Sequence, residues 1–450
     1  MKPHLIKFYY LNQGRFFIFK QEAKKMKKMN YQNVKGTLDY LPEEEGIRRT
    51  IRRTMEDVFI QYGCKPIETP ILNYQSLLAS KYAGGAEILE EMYTLSDRGK
   101  RELALRYDLT IPFAKVVAMN PTLKMPFKRY EIGKVFRDGP IKTGRYREFT
   151  QCDVDIVGVQ SQVAEAELMM MALDVFRRLK MDVTIQYNNR KLLVGFLRQL
   201  NITGQMVNRV ILILDKIEKI SKEKIKEELR EAGLDQMAID AIESFLQKDL
   251  DGIVEEYRQL AEKEEIIKQG LEEWNELQAY LKQLEIESCC LFNPFLARGL
   301  EIYTGTIYEI FLTDKSVKSS IGSGGRYDNA IGGLIGSQET YATVGISFGL
   351  DVIFAALSLE NSYLEAERLD YYIIPIGRPM EAISAAKALR DHGFKVELEL
   401  GKKKLAKALD KANKEGVKKV IIIGENEVDG NTYKVRDMET GEEWLEAFQY

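Results

Sequence analysis

The strongest constraint on the fold is a helical stretch that interrupts a run of strands. Residues 191–284 contain no proline and are dense in Glu, Lys, Leu and Ile, a pattern typical of several amphipathic helices. Strand-like segments lie on both sides, at 92–157 and 285–360. The short connections within 92–157 favour antiparallel pairing, because a parallel crossover needs a dozen or more residues. We therefore predict a sheet domain that is interrupted by a helical insertion and then resumed.

The two ends of the chain differ from this central part. Residues 1–30 hold eight Lys or Arg and one acid, Glu22, so we expect a basic leader that is disordered or not native, with Met29 as the natural start. A change of composition at 361–369 predicts a linker. Strand and helix patterns then alternate over 370–450, which predicts a separate α/β domain.

Histidine and cysteine are too scarce for several kinds of chemistry. The chain has two histidines, His4 and His392, and four cysteines without a C-x-x-C pair. We therefore expect no metal site built from side chains, no disulfide scaffold and no hydrolase that uses a histidine base. No stretch approaches the roughly 20 apolar residues that span a bilayer, so we expect a cytoplasmic protein with reduced thiols.

Arginine is concentrated in one stretch of a chain whose net charge is only -3. Residues 134–153, KVFRDGPIKTGRYREFTQCD, have the alternation of a β-hairpin. Four basic residues are expected to project from its two strands: Lys134, Arg137, Arg145 and Arg147. Since arginine presents a planar fork that suits phosphate or carboxylate, the hairpin is a candidate polyanion clamp. A solvated strand face with surface ion pairs is the alternative.

Two later segments also carry polar residues in strand-like surroundings. In LARGLEIYTG, Arg298 interrupts an apolar strand, so we expect it to contact a ligand or an acid such as Glu301. In GSGGRYDN, Gly324 and its neighbouring glycines would let a ligand approach the backbone closely, with Arg326 as a polar anchor. A glycine-rich hairpin turn is the alternative for this second segment.

An acid and a hydroxyl stand where a predicted strand meets a predicted helix. In LRYDLTIP these are Asp108 and Thr110, and a helix N-cap explains one of them without a ligand. Together with the acids at 153 and 155 and the arginines described above, they lie in the sheet-like segments of one interrupted domain. That combination suits a ligand pair with an amine and phosphates, such as an amino acid and ATP.

These segments resemble the signature peptides of histidyl-tRNA synthetases, a family of class II aminoacyl-tRNA synthetases. GTLDYLPEE and PIETPIL are similar to the first class signature, and FRDGPIKTGRYREFTQCDVDIVG is similar to the second. LARGLEIYTG and SGGRYDN resemble two peptides that are particular to the histidine enzymes. The resemblance runs in the family order from about Asn33 to the end of the chain.

The resemblance implies an α+β fold with a six- or seven-stranded antiparallel catalytic sheet, built from 31–190 and 285–360. It implies that the insertion at 191–284 covers the tRNA acceptor stem and that 370–450 bind the anticodon. The implied enzyme is an aminoacyl-tRNA ligase that forms histidyl-adenylate from L-histidine and ATP with Mg²⁺, and then charges its cognate histidine tRNA. A homodimer with Pro70 at its interface is also implied.

The resemblance further assigns roles residue by residue. Arg137 and Arg298 would be the catalytic residues, since they would hold the α-phosphate of ATP. The ATP-binding loop would add Arg145 and Arg147. The histidine pocket would be formed by residues from several segments: Asp108, Thr110, Gln151, Asp155, Tyr303, Gly324 and Arg326.

The chain departs from the family pattern at the third class signature. An arginine that grasps the γ-phosphate is usual there, whereas GISFGLDVIF has Asp351 and Val352. Because valine cannot bind phosphate, we expect other groups to hold ATP or its binding to be impaired. Ile302 replaces a residue that is often aromatic, and Asp108 replaces a common glutamate.

Two other functions fit parts of the pattern. A non-catalytic, histidine-sensing regulatory subunit of ATP phosphoribosyltransferase has the same fold, but that group generally lacks the C-terminal domain and the catalytic arginine. This chain keeps both 370–450 and Arg298. The other alternative is a sensor domain that binds uncharged tRNA without charging it. Such a domain would be attached to a kinase segment, and none is found in these 450 residues.

Overall fold

A computed structural model describes residues 31–80, 86–142, 144–217, 220–297, 302–337, 339–359, 368–401 and 403–448. The predicted leader at 1–30, most of the predicted linker and Arg298 lie outside the described residues. Among the helices of the described ranges, none has the length and apolar character needed to cross a membrane.

The first block of the chain supplies the start of the main sheet and the helices that cover it. Its elements are α1 (Pro42–Gln61), β1 (Lys65–Pro66), β2 (Leu72–Tyr74), α2 (Gln75–Leu78), α3 (Ala86–Glu91), β3 (Thr94–Ser96), β4 (Glu102–Leu105), α4 (Thr110–Met119), β5 (Phe127–Phe136), β6 (Glu148–Val157), α5 (Val163–Arg178) and β7 (Val183–Asn189). As predicted, α1 starts at a proline, which suits the first turn of a helix because that position needs no N–H partner.

A run of helices follows directly after β7 and forms its own hydrophobic core. These helices are α6 (Arg190–Gln199), α7 (Gln205–Leu214), α8 (Lys222–Glu231), α9 (Gln236–Gln247), α10 (Leu250–Ala261) and α11 (Glu265–Gln283). Side chains of Asn189, Ser221, Asp235 and Asp249 cap the N-termini of α6, α8, α9 and α10 by accepting backbone hydrogen bonds. The amphipathic helices predicted for this stretch are therefore present.

The chain then returns to the main sheet, as the interrupted strand pattern predicted. This block contains β8 (Cys290–Phe292), β9 (Thr306–Leu312), β10 (Gly322–Arg326), α12 (Asn329–Leu334), β11 (Thr343–Gly349) and α13 (Leu350–Leu359). The glycine-rich segment forms the strand β10, so the alternative of a hairpin turn does not describe it.

The main sheet has the strand order β1-β5-β6-β11-β10-β9-β7-β8. The six strands from β5 to β7 in that order pair antiparallel, which confirms the predicted antiparallel sheet. The edge strands β1 and β8 pair parallel and are two and three residues long. Both lie in segments with strand signals, KPIETPIL and SCCLF, but their parallel pairing was not predicted. A second, three-stranded sheet has the order β2-β4-β3.

One face of the main sheet is sealed by apolar packing. Ile51, Met55 and Phe59 of α1 are fully buried, and the Phe59 ring lies 5.8 Å from the Phe348 ring of β11. Helix α5 packs into the same core, for example through Val175 and Phe176. With one face closed in this way, polar strand residues can serve a ligand only on the opposite face.

The last block is the predicted α/β unit. It contains β12 (Tyr371–Pro375), α14 (Pro379–Asp391), β13 (Val396–Leu398), α15 (Leu405–Lys414), β14 (Lys419–Ile423), α16 (Glu425–Asp429), β15 (Thr432–Asp437) and β16 (Glu443–Ala447). Its sheet runs β13-β12-β14-β15-β16, parallel in the first three strands and antiparallel in the rest. Ile373 and Ile421 pack on the α14 side, whereas Tyr372 and Val420 pack on the α15 side.

Candidate active site

The candidate site is built on β6, whose side chains alternate between the two faces of the main sheet. Cys152, Val154 and Ile156 are buried in the apolar core, so the residues between them point to the other face of the sheet. We call Gln151, Asp153 and Asp155 the β6 row. The same alternation that fills the core therefore places two carboxylates and an amide on the face that is free to receive a ligand.

Neighbouring strands complete a cavity over this row. Its empty volume, which includes space open to solvent, is about 430 Å³. The lining combines carboxylates, hydroxyls, glycines and a few apolar groups: Asp108, Thr110, Asp153, Asp155, Ile302, Tyr303, Ser323, Gly324, Gly325, Tyr327, Gly345, Ile346 and Ser347. Segments that are far apart in the sequence meet here because β6, β11 and β10 are adjacent in the sheet.

A buried arginine that we did not predict holds the inner end of the row. Arg129 on β5 lies opposite Asp155 in the antiparallel register, and its Nη2 lies 2.5 Å from Asp155 Oδ2. The side chain has no exposed surface, and its guanidinium carbon lies 4.3 Å from the centre of the Phe113 ring. Pairing β5 with β6 as an antiparallel hairpin would have brought these two residues together, but the sequence alone does not set the register.

Asp155 is held from two further directions. The hydroxyl of Tyr327 donates a hydrogen bond to Asp155 Oδ1. Gly345 on β11 faces the same carboxylate, and a Cβ at this glycine would lie only 1.9 Å from Asp155 Oδ1. Position 345 therefore has to be glycine for the carboxylate to sit on the sheet. These contacts position Asp155 firmly at the wall of the cavity.

The middle of the row is Asp153, which is 3% exposed. Burial raises the pKa of Asp153 to about 8, and the positive charge of Arg129 only partly offsets this effect. Burial also raises the pKa of Asp108 and of Asp155. A site with several buried carboxylates favours a ligand that brings positive charge or protons.

Gln151 closes the row at its outer end. Its Nε2 donates to Ser347 Oγ at 2.7 Å, while its Oε1 is buried and has no hydrogen-bond partner among the described residues. A buried amide oxygen without a partner costs free energy unless a ligand donor reaches it. Gln151 is not among the residues that line the cavity, so its predicted place in the histidine pocket stays a prediction.

Asp108 and Thr110 both line the cavity. Asp108 Oδ1 also accepts hydrogen bonds from the backbone N–H groups of Thr110 and Ile111, each at 3.1 Å. Asp108 is not itself the N-cap residue, which is Leu109, but its carboxylate satisfies two backbone N–H groups of the first turn and also lies at the cavity wall. The start of α4 fixes the orientation of the carboxylate towards the cavity.

Tyr303 and Gly324 also line the cavity, but Arg326 does not. The Arg326 guanidinium forms a buried two-pronged ion pair with Glu165 of α5, with Nε–Oε1 and Nη2–Oε2 distances of 2.6 and 2.7 Å. It also donates to the backbone oxygen of Val159 at 3.0 Å. Glu165 lies 161 residues away in the chain, which is why the sequence suggested a ligand contact instead.

The basic stretch occupies a loop as well as strands. Strand β5 ends at Phe136 and β6 begins at Glu148, so Arg137, Arg145 and Arg147 lie in the connection. This corrects the expectation that they project from the two strands. Lys134 alone is on a strand, where it pairs with Glu148. The Asp-Gly-Pro sequence at 138–140 ends β5, since proline has no N–H for the ladder. We call residues 137–147 the arginine loop; residue 143 is outside the described residues.

Contacts of the arginine loop are weaker than those of the β6 row. The Arg137 Nε donates to the backbone oxygen of Tyr107 at 3.2 Å, and its guanidinium lies 4.1 Å from the Tyr107 ring centre. Arg147 Nη1 lies 2.8 Å from Asp138 Oδ1, and Arg145 is exposed. Because Tyr107 precedes Asp108, Arg137 stands next to the cavity, with its guanidinium available to an anion.

The start of α13 contains the residues that depart from the third signature. Asp351 is buried and accepts hydrogen bonds from Tyr40, Arg48 and the Thr150 backbone, at 2.6 to 2.7 Å. Val352 is also buried, and a Cβ at Gly144 would lie 2.8 Å from its Cα. This end of α13 therefore supports the arginine loop by packing instead of presenting a cation of its own.

The fold that carries this site is that of the class II aminoacyl-tRNA synthetases. The chain superimposes on the crystal structure of histidyl-tRNA synthetase from Nostoc sp. PCC 7120 with a TM-score of 0.81 and 29% sequence identity, over 93% of this chain and 97% of that one. A protein described as an ATP phosphoribosyltransferase regulatory subunit/histidyl-tRNA synthetase from Bacillus halodurans C matches with a TM-score of 0.74 at 21% identity, over 89% of this chain and all of that one. The second likeness shows a shared fold alone.

Sequence comparison narrows this class to one family. The family model for histidyl-tRNA synthetase matches residues 36–353, and an anticodon binding domain model matches 370–448. Histidine--tRNA ligase 2 from Shouchella clausii (strain KSM-K16) is 57% identical over 425 residues, which are 94% of this chain and 100% of that protein. The chain belongs to the histidyl-tRNA synthetase family, as the signature peptides indicated.

Proposed function

We propose that this chain ligates L-histidine to its cognate tRNA through a histidyl-adenylate. The observation that carries the proposal is the acid-lined cavity next to the arginine loop, on the open face of one sheet. The acids of the cavity suit the ammonium and imidazole groups of histidine, and the arginines of the loop suit the phosphates of ATP. The name of the 57% identical relative, Histidine--tRNA ligase 2, supports the same activity.

In this proposal the cavity recognises histidine through groups at opposite walls. Asp108 and Thr110 receive the α-ammonium group at the start of α4, where both already line the cavity. Asp155 and Tyr303 face the imidazole, with Gly324 leaving room beside them, and Gln151 lies next to the cavity on β6, where it donates to Ser347. A pocket that pairs the ring nitrogens rejects side chains of similar shape, because these would leave buried polar groups without partners. Arg326 supports the pocket from behind through its ion pair with Glu165.

The first chemical step needs charge stabilisation more than a protein nucleophile. An oxygen of the histidine carboxylate attacks the α-phosphorus of MgATP, and the bond to pyrophosphate breaks. Arg137 stabilises the negative charge that develops on the α-phosphate oxygens, and Arg145 and Arg147 hold the remaining phosphates. The family resemblance assigns Arg298 the same role from the other side. We infer that Mg²⁺ enters with ATP, since the described residues contain no group of three or more side chains suited to hold a metal ion.

In the second step a ribose hydroxyl at the 3′ end of the tRNA attacks the histidyl carbonyl and AMP leaves. Positioning again supplies most of the acceleration, because both reactants are held next to each other. The helices α6–α11 would contact the acceptor stem, and the α/β unit at 370–450 would contact the anticodon. In this proposal the catalytic domain comprises 31–190 and 285–360, the insertion comprises 191–284, and the linker at 361–369 leads to the anticodon-binding domain at 370–450.

We further propose a cytoplasmic homodimer. Leu72 and Tyr74 of β2 and Leu95 of β3 are 46%, 57% and 39% exposed, and Pro70 next to them is also exposed. Large apolar side chains grouped on a small sheet favour contact with a second subunit. Sedimentation equilibrium of the full chain tests this part, and a monomer at micromolar concentration would contradict it.

The regulatory-subunit alternative has less support. The match of 370–448 to an anticodon binding domain is a feature that this alternative does not need. The Bacillus halodurans protein is 21% identical to this chain, so its likeness supports a shared fold and no shared function.

Histidine-dependent exchange between ATP and pyrophosphate tests the first step, and charging of histidine tRNA tests the second. We expect both activities in the full chain. We expect exchange to be strongly reduced in Arg298→Ala and unchanged in Arg177→Ala, an exposed arginine of α5 that pairs with Asp174. The proposal is wrong if the full chain shows no exchange with histidine, or if Arg298→Ala is fully active. A chain truncated before Asn30 should retain both activities.

A further inference from the structure

The cavity contains one more carboxylate than the assignments above use. Asp153 lines it between Gln151 and Asp155, and it is almost completely buried. Neither the ammonium contact at Asp108 nor the imidazole contact at Asp155 gives this side chain a role. Burial of a carboxyl group costs free energy unless a partner compensates for the lost hydration, so Asp153 is expected to interact with the ligand.

The charges around Asp153 do not balance among the described residues. The charged groups around it are Asp155 on its own strand, Arg129 and Glu131 on β5, and Asp108 at the start of α4. The neutral Ser347 lies opposite it on β11. Glu131 is already paired, since Arg106 Nη1 lies 2.8 Å from its Oε1. Arg129 is likewise paired, since its Nη2 lies 2.5 Å from Asp155 Oδ2, so Asp153 lies beside two paired acids and has no ion-pair partner of its own among the described residues.

Free histidine with a neutral imidazole brings no net charge to Asp153, since its ammonium and carboxylate groups cancel. A proton on either the imidazole or Asp153 removes the imbalance. The unpaired Oε1 of Gln151, which is buried next to Asp153 on the same face, also requires a donor. Both observations point to a ligand ring that carries hydrogen on its nitrogens.

We propose that Asp153 is a specificity-determining residue that shares a proton with the imidazole and selects a basic ring over neutral rings of the same shape. This inference rests on the proposed function. In the empty cavity the carboxyl holds the proton. When histidine binds, that proton moves to or hydrogen-bonds with a ring nitrogen, so an imidazolium–carboxylate pair forms without any net uptake of protons.

The test compares histidine with an analogue whose ring is 1,2,4-triazole, which has a similar shape but is a far weaker base. We expect the full-length wild type to prefer histidine strongly in ATP–pyrophosphate exchange, measured as kcat/KM. In Asp153→Asn we expect kcat/KM for histidine to fall about 10- to 100-fold, because a hydrogen bond with a charged partner is lost. For the triazole analogue we expect less than about a threefold change, so that the preference for histidine collapses.

Asp174→Asn is the control, because it makes the same change of a carboxylate to an amide on α5, where Asp174 accepts a hydrogen bond from Tyr62 at 2.5 Å in a different part of the fold. It should leave the preference unchanged. If Asp153→Asn lowers kcat/KM for both substrates equally, Asp153 has only a structural role and the inference is overturned. If wild type shows no exchange with histidine at all, the proposed function itself fails.

A second measurement uses only the wild type and so does not depend on how the variant folds. Burial raises the pKa of Asp153 to about 8, so above that pH the proton must be taken from solution. We expect the KM for histidine to rise by up to tenfold per pH unit above about pH 8. The triazole analogue has the same ammonium group and corrects for its titration. A ratio of the two KM values that stays flat from pH 7 to 9 would refute the shared proton.

Discussion

The β6 row and the arginine loop both bring charge to the same site, but they are built in opposite ways. The row lies on a central strand, and its carboxylates meet Arg129 and Tyr327 at full burial. In the loop, the Arg147 and Asp138 side chains are 27% and 45% exposed. Strong contacts at low exposure hold a small ligand in one orientation, whereas exposed arginines can adjust to a large, highly charged one. Mutations in the row should therefore affect stability and selectivity, and mutations in the loop should affect rate and ATP binding.

Removal of Arg129 should have the largest effect on stability. We expect Arg129→Met to lower the free energy of unfolding by about 3–5 kcal/mol, because it leaves Asp155 buried without its ion-pair partner. Urea denaturation followed by circular dichroism measures this loss. Arg145→Met in the exposed loop should change the same quantity by less than about 0.5 kcal/mol. Equal losses in the two variants would remove the contrast between row and loop.

Removal of Arg137 should change the reaction rate strongly and the stability of the fold only slightly. We expect Arg137→Ala to reduce kcat for ATP–pyrophosphate exchange by about 100- to 1,000-fold, as for the loss of one preorganised donor at a developing negative charge. The stability change should be small, since Arg137 is held by a 3.2 Å hydrogen bond and by the rings of Tyr107 and Phe149, and not by a buried ion pair. A variant with near-normal exchange would show that the loop does not stabilise the transition state.

The pH dependence of stability should reveal Asp153. Because burial raises its pKa from 3.8 to about 8, the folded state binds a proton that the unfolded state releases. Its contribution to stability is complete below about pH 4 and is lost as the pH rises towards 8, by about 1.4 kcal/mol per pH unit. Asp153→Asn should therefore match wild type near pH 4 and be the more stable of the two at pH 7. Urea denaturation of both proteins at several pH values tests this, and a constant difference would contradict it.

The contact between the arginine loop and α13 should have a smaller effect, mainly on ATP. In Gly144→Ala the new Cβ would lie 2.8 Å from Val352 Cα, at a backbone φ of +69°. We expect the KM for ATP to rise about tenfold, the equivalent of roughly 1.4 kcal/mol, as the loop shifts. Gly63→Ala is the matched control, because Gly63 has a φ of +76° but no atom within 4 Å of a new Cβ. It should cost stability alone, and an equal rise in KM would show that the contact with Val352 is unimportant.

The sequence allowed much of the architecture to be predicted. The helix that starts at Pro42, the helical stretch after β7 and the alternation along β6 follow from local periodicity and capping, which neighbouring residues control. The signature peptides indicated the family, and the comparisons confirmed it. Asp108, Thr110, Asp155, Tyr303 and Gly324 were all predicted for one pocket, and they line one cavity.

What the sequence missed depends on partners that are distant in the chain. Arg326 was expected at the ligand but pairs with Glu165, and Arg129 was not singled out although it is the cation nearest Asp155. The loss of a phosphate contact at Val352 stays a prediction, but the packing of Val352 against Gly144 of the arginine loop was not foreseen. In each case the residue type was visible but its partner was not.

The sequence by itself determined the family, the order of strands and helices, and the residue types available for binding charge. The tertiary structure alone decided which of these charges neutralise each other and which remain for a ligand. The physical reason is that periodicity and capping act over a few residues, whereas an ion pair between buried groups depends on strand register and helix packing. Asp153 illustrates the difference: its place on the strand follows from alternation, but its excess charge appears only when Arg129, Glu131 and Arg106 are counted around it.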